Sequence, residues 1–466
     1  MGGYVGAVFS QTLFGIIGVY VGLSVLGPKD YGTFALVSII TGVVSSLAAG
    51  PVGILSAGAY LSMTATEQER ADATFLVLTV LFGVLFAILL SIAWAFASVS
   101  LAQTISPKAT LFAILSVCPQ SITIMYLSLY YNKGYSGRVF LCAIAQGFCT
   151  IISMYLGFFV LEWNKASLYS SQLAGFSASA LVSIILCKKI TYPLENRWVF
   201  KWLKNYRSFF MNAIVSNGPQ LVEGAVITKF IGIGAVAVWL HSKLYSSLLL
   251  RGVKIVSLTV WPVSLIEAKV NNFKTIKKSW ELIYVCLALV GVVAVFLAEP
   301  LICFLTHGKL VRASVLVPWW VIYCILQNTG KEAEAVLYTF DSGRLAANSQ
   351  TYSKIIGLIA FMALTWFFGL SGAIGAAILE VICYRFFIRR TVLLIKPLPV
   401  IDIWAFVWVA LIFLAIVVES IIEPITWEIR LLGVAVGVFI ILSLSRRIVF
   451  EAFDLIRKIS IAASSK

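Results

Sequence analysis

The stretch GAVAVWLHSKLYSSLLLRGVKIVSLTVWPVSLI, residues 234–266, is apolar at both ends and carries Lys243, Arg251 and Lys254 between them. A helix needs about 20 apolar residues to cross about 30 Å of hydrocarbon, and this segment exceeds that. Trp239 and Trp261 lie about 33 Å apart on a helix, the separation of the two interfacial aromatic belts. Positions i, i+4, i+8 and i+11 fall within about 80° of one another. Lys243, Ser247, Arg251 and Lys254 therefore share one helix face, with Arg251 near mid-membrane. A charge at the centre of a span costs about 2.5–3.5 kcal/mol. Three cations on one face, with no acid among them, require an anion from elsewhere, and a mobile ligand can supply it.

Composition extends this to the whole chain. Of 466 residues, 61% are hydrophobic and 12% charged, against about 25% charged in soluble domains. The fold class expected is an all-α polytopic membrane protein with about fourteen transmembrane helices. The spans fall near 5–26, 33–60, 73–100, 109–131, 139–160, 168–187, 208–231, 235–266, 280–298, 315–340, 350–369, 372–394, 403–421 and 430–445. Breaker residues mark the turns: GPKDYG, NKGYSG, DSGR and KPLPVID. The run from residue 5 lacks a basic flank and is too long for a signal peptide, so it reads as a first span.

The net charge of +15 matches basic cytoplasmic loops rather than nucleic-acid binding. CKKITYPLENRWVFKWLKNYR, KVNNFKTIKK, RFFIRRTVLLIK and the tail SRRIVFEAFDLIRK fall on one side. That side holds roughly 23 Lys and Arg against about six or seven opposite, which places it and both termini in the cytoplasm. The longest connection divides the chain into residues 1–190, an N-terminal six-helix bundle; 191–207, a basic cytoplasmic linker; 208–395, a C-terminal six-helix bundle; and 396–466, two additional transmembrane helices and a basic tail. The tail has the character of an amphipathic helix on the inner leaflet.

No soluble catalytic domain fits in loops this short. The Gly-Lys pairs in THGKL and NTGKE lack the rest of a P-loop, and neither HExxH nor GxSxG occurs. The eight cysteines form no CxxC pair and two histidines make no metal cluster, so no cofactor or metal is expected. The acidic TEQERAD segment, with Asp72 beside Arg70, reads as a solvated turn.

Two further spans carry polar faces. The seventh has Asn212, Ser216, Gln220 and Glu223 at the same spacing, with NGPQ expected to kink or unwind it. Broken helices near the midplane often build transporter sites. The tenth has Gln327, Lys331, Glu334, Tyr338 and Asp341 on one face, with Glu332 beside them. Mutual neutralisation, Glu223 with Lys243 and Lys331 with Glu334, is the structural alternative.

Several stretches resemble a known family. VLGPKDYGTFALVS (25–38) resembles the first-loop signature of Wzx-like O-antigen flippases, the polysaccharide transporter branch of the multidrug/oligosaccharidyl-lipid/polysaccharide exporter superfamily. EGAVITKFIGIGAVAVWLHSKL with VWPVSLI, FLTHGKLVRASVLVPWWVIYCI and FGLSGAIGAAILEVICY resemble later spans in the family's order. The resemblance implies two pseudo-symmetric bundles around a central cavity and an inner-membrane flippase, not an enzyme. Its cargo would be a polyprenyl-pyrophosphate oligosaccharide, moved by alternating access. Arg251, Lys243 and Lys254, with Ser247, Asn212 and Gln220, would meet the substrate. Glu223, Lys331 and Glu334 would serve ion coupling, to H+ or to Na+ held by Asn212, Asn217 and Glu223. Partners would be membrane lipids and the polysaccharide polymerase and chain-length machinery. The chain departs from the family at Ser24, where an Arg is common, and at Glu223, where an Asp is common. Other readings are a lipid II flippase, a multidrug exporter, which would need cavity carboxylates, and a membrane glycosyltransferase or polymerase, which would need a large loop or clustered acids.

Overall fold

The computed structural model describes residues 2–59, 63–97, 105–187, 195–269, 274–340, 344–393, 403–422 and 426–464. It divides into two compact units: Met1–Ala237 with Leu305–Lys309, and Val238–Phe304 with Leu310–Lys466.

The first unit contains α1 (Gly2–Val25), α2 (Pro28–Ala49), α3 (Val52–Ala59), α4 (Ala65–Ala97), α5 (Pro107–Leu115), α6 (Val117–Asn132), α7 (Ser136–Tyr155), α8 (Ala166–Leu186) and α9 (Asn196–Phe230). The sequence expectation of one helix over 33–60 is corrected by a break at Gly50–Pro51. Gly50 has φ 68° and ψ −163°, a conformation open essentially to glycine alone. The Trp202 indole lies against its α-carbon, where a side chain would clash. The fourth span is likewise two helices. Pro119 has no N–H to give the Leu115 carbonyl, and the helices meet at Ser116.

The TEQERAD segment is corrected too. Thr64 and Glu67 form a reciprocal capping box, Thr64 N–H donating to Glu67 Oε2 at 2.8 Å and Glu67 N–H to Thr64 Oγ1 at 3.4 Å. The segment therefore starts α4 rather than forming a turn. The basic stretch 196–207, expected as loop, is the beginning of α9. Trp198 and Trp202 are buried in the core of the first unit with Phe75, Met125 and Tyr126. Their spacing of four residues puts both on one helix face.

The second unit contains α10 (Ile233–Lys269, from Val238 onward), α11 (Lys274–Thr306), α12 (Val317–Asn328), α13 (Lys331–Phe340), α14 (Arg344–Leu393), α15 (Ile403–Ile421) and α16 (Trp427–Ser464). α14 is two crossings joined without a loop, because Gly369 (φ 60°, ψ −139°) turns the backbone between them. Trp280, Tyr284, Val321, Ile325, Val336 and Trp408 centre this unit's core.

Among the described residues, 11 helices are long and apolar enough to cross a membrane, with α14's 46-residue run counted once. Dividing α14 at Gly369, and adding α9 and the α12–α13 pair, agrees with about fourteen crossings. The pattern of burial is that of lipid solvent. Ser45, Thr74, Ser121 and Ser183 are buried, whereas Leu81, Leu85, Ile88 and Ile92 form an exposed stripe along α4. The chain is an all-α multi-pass membrane protein.

Candidate functional site

The α10 face has its described members in Lys243 and Ser247; Arg251 and Lys254 sit on the same helix, but their side chains lie outside the described residues. Half-buried Lys243 places its ammonium 5.9 Å from the Trp239 ring and 5.8 Å from the Trp320 ring. Such aromatic faces attract a cation, by about 2 kcal/mol where water is excluded. The two indoles touch at 5.0 Å between centroids. Trp320 is fixed by its own N–H, which donates to Ser242 Oγ at 3.0 Å, while Ser242 donates to the Trp239 carbonyl at 2.8 Å. The notch under Lys243 is thus built by α10 and α12 together. Ser247 gives its hydroxyl to the Leu244 carbonyl at 2.7 Å, leaving its oxygen able to accept from a ligand.

On α9, Asn212 is a helix residue whose side chain lies outside the described ones. Gln220 is exposed, and Glu223 and Asn217 are half-buried. The expected unwinding at Gly218–Pro219 is corrected: α9 continues from Asn196 to Phe230 with Pro219 inside it. Residues around a membrane proline can re-satisfy the freed carbonyl and keep the helix intact. Glu223 belongs to the first unit and Lys243 to the second.

The break falls instead in the tenth span. Thr329 is extended and Gly330 takes φ 68°, so α12 stops at Asn328 and α13 starts at Lys331. Gln327 and Lys331 therefore do not share one continuous helix face, which corrects that expectation. Lys331 Nζ meets Glu334 Oε2 at 2.7 Å, and Arg385 Nη1 bonds Glu334 Oε1. The three side chains are 18%, 9% and 11% exposed. Trp280 faces Lys331 at 5.8 Å and Tyr384 lies 5.0 Å from the Arg385 guanidinium. Tyr338 and Glu332 have side chains outside the described residues, and Asp341 lies outside them altogether. Arg385 was missed in the sequence because it opens a basic run that reads as loop. Its position inside the span 372–394 was the available signal.

The first unit holds polar groups that the sequence did not single out. Asp72, at the end of TEQERAD, is buried and accepts from Lys133 at 2.5 Å, joining α4 to the turn after α6. Ser38 donates to Gln172 Oε1 at 3.0 Å, and Ser45 to Gln120 Oε1 at 3.1 Å, tying α2 to α8 and α6. The Lys309 ammonium donates to the carbonyls of Leu23 at 2.5 Å and Leu26 at 2.9 Å, with Ser24 O at 3.4 Å. A cation thus reaches the end of α1 next to Ser24, and it arrives from far along the chain. Among the described residues no group of three His, Cys, Asp or Glu is placed to hold a metal.

No family model and no curated protein matches the chain. Solved structures do. A lipid II flippase MurJ in an inward closed conformation aligns over 96% of this chain and 99% of its own, at TM-score 0.67 and 15% identity. An inward-facing multidrug resistance MATE-family transporter of the MOP superfamily aligns over 89% and 96%, at TM-score 0.60 and 14% identity. A MOP-superfamily transporter from Pyrococcus furiosus, described as having a binding pocket of reversed polarity, aligns over 88% and 94%, at 0.56 and 13%. The chain has the fold of these membrane transporters. At such identities the shared property is the fold.

Proposed function

We propose that this protein is a flippase of the bacterial inner membrane that moves a polyprenyl-pyrophosphate-linked oligosaccharide between leaflets by alternating access. The observation that carries this reading is the cationic face of α10 within a fold shared with a lipid II flippase. Arg251, Lys243 and Lys254 would accept the pyrophosphate, Arg through a planar fork and Lys as a point charge. Ser247, Asn212 and Gln220 would meet sugar hydroxyls. The notch of Trp239 and Trp320 supports the role of Lys243, because two indole faces attract an ammonium and fix its place on α10. Lipid II is the second cargo reading, and the MurJ likeness supports it. Both cargoes present a pyrophosphate to the same cations.

Coupling to H+ or Na+ would use Glu223 on α9, with Lys331 and Glu334 as the second ionisable set. Translocation of a fluorescent lipid-pyrophosphate oligosaccharide in proteoliposomes tests both parts. Arg251→Ala is expected to abolish flipping and Arg251→Lys to keep a fraction. Normal flipping by both variants would remove the anion-accepting role. Glu223→Gln with an unchanged rate and pH profile would end proton coupling at that residue.

A further inference from the structure

The first third of α9 has a character of its own, independent of the cargo. α9 has 35 residues, about 52 Å of helix against about 30 Å of hydrocarbon. With the apolar span at 208–231, the residues from Asn196 to Arg207 extend beyond the hydrocarbon on the basic side. One face of this extension is buried. Trp202 packs on Phe82 at 4.4 Å and stacks with Tyr206 at 4.7 Å, and Trp198 meets Phe75 at 5.6 Å. Tyr206 O–H donates to the Leu47 carbonyl at 3.0 Å. The extension is therefore a fixed part of the first unit rather than a free linker.

The other face combines two kinds of side chain. Phe200 and Leu203 are 72% and 49% exposed. Arg197, Lys204 and Arg207 are exposed around them, and Lys201 is half-buried with its ammonium 4.5 Å from the Trp198 ring. Glu67, at the start of α4, acts electrostatically on Arg197. No acid occurs between Asn196 and Arg207, and the first turn of α9 carries none. The acids at this end are Glu195, at the N-cap, and Glu67 beside Arg197.

A face with large apolar side chains suits neither water nor, with its cations, the hydrocarbon interior. Both parts are satisfied at the boundary between them. Phe200 and Leu203 reach the acyl chains while Lys201, Lys204 and Arg207 meet lipid phosphates. The attraction of cations to an anionic leaflet selects the charge of the lipid. We propose that the exposed face of α9 between Arg197 and Arg207 is a docking surface for anionic phospholipid headgroups, anchored by Phe200 and Leu203.

The test places a photo-reactive benzoylphenylalanine at Leu203 in the full chain. The protein is reconstituted in vesicles of equal phosphatidylglycerol and phosphatidylcholine, and lipid adducts are identified by mass spectrometry. Phosphatidylglycerol adducts are expected to exceed phosphatidylcholine adducts about fivefold or more, since one cation near an anionic surface contributes about that factor. Lys201→Gln, Lys204→Gln and Arg207→Gln combined should bring the ratio towards one while the total lipid adduct persists. Size-exclusion profile and thermal midpoint check the fold of that variant. An absence of lipid adduct at Leu203, adducts to protein only, or a ratio of one in the wild type overturns the proposal. So does a ratio that the triple variant leaves unchanged.

Discussion

Glu334 shows how a buried charge is held in this molecule. Its two oxygens are taken by Lys331 and Arg385, so the set carries one excess positive charge in a largely dry place. Removing one member of a buried ion set costs about 3–5 kcal/mol when it strands the others. Glu334→Ala strands two cations, whereas Lys331→Met leaves a matched Glu334–Arg385 pair. We expect Glu334→Ala to lower the thermal midpoint in detergent by the larger amount, with Lys331→Met near wild type. Equal losses would mean that Lys331 has a stabilising partner beyond Glu334. At this scale the sequence was half legible. Lys331 and Glu334 are three apart on a helix, and that spacing alone pairs them. Arg385 is separated from Glu334 by 51 positions, and nothing local announces such a contact. The same holds for Lys309, whose place on the α1 carbonyls depends on a connection far along the chain.

Among the elements, apolar runs located the spans and the division after residue 369, but not the breaks inside the second, fourth and tenth spans. Proline and glycine signals occur at Gly50–Pro51, Pro119, Gly218–Pro219, Pro300, Gly330 and Gly369, and the helices continue through Gly218–Pro219 and Pro300 but break at the others. A proline removes one hydrogen bond, which packed neighbours can replace. A left-handed backbone cannot be absorbed that way, and Gly50, Gly330 and Gly369 all have positive φ. Gly50 gives a direct check. Its φ and ψ admit essentially glycine alone, and Trp202 fills the space of a β-carbon, so Gly50→Ala should cost about 1–3 kcal/mol. Gly53, three residues on, is helical with Ser128 at an ordinary 3.6 Å. Gly53→Ala should be neutral or stabilising by up to about 1 kcal/mol. Thermal midpoints of the two variants, moving in these different directions, would separate backbone strain from a general sensitivity of α3. On α9 the basic residues make 196–207 read as loop, masking the Trp198–Trp202–Tyr206 spacing that buries it.

For the whole molecule, hydropathy was enough for the class, because a bilayer admits helices with little freedom of design. Orientation rests on the distribution of Lys and Arg, with roughly 23 on one side and about six or seven on the other. Exposure does not set the two sides apart: on the sparse side Lys165 pairs with Asp30 at 2.6 Å and Lys309 sits on the carbonyls that end α1, while Lys108 and Arg312 are exposed. On the dense side Arg197, Lys204, Arg207 and Arg390 are exposed, while Lys133 pairs with buried Asp72. The count alone predicts that the dense side lies in the cytoplasm. Alkaline phosphatase fused after Asn164 should then be active in cells, and the same enzyme fused after Gly134 inactive. Green fluorescent protein at the C-terminus should fluoresce, since it folds on the cytoplasmic side. Adding four lysines to the connection at 161–165 should lower the phosphatase signal at Asn164, because new cations there oppose the existing bias. The reverse phosphatase pattern in the unmodified chain would invert the molecule, and the lipid-facing end of α9 with it.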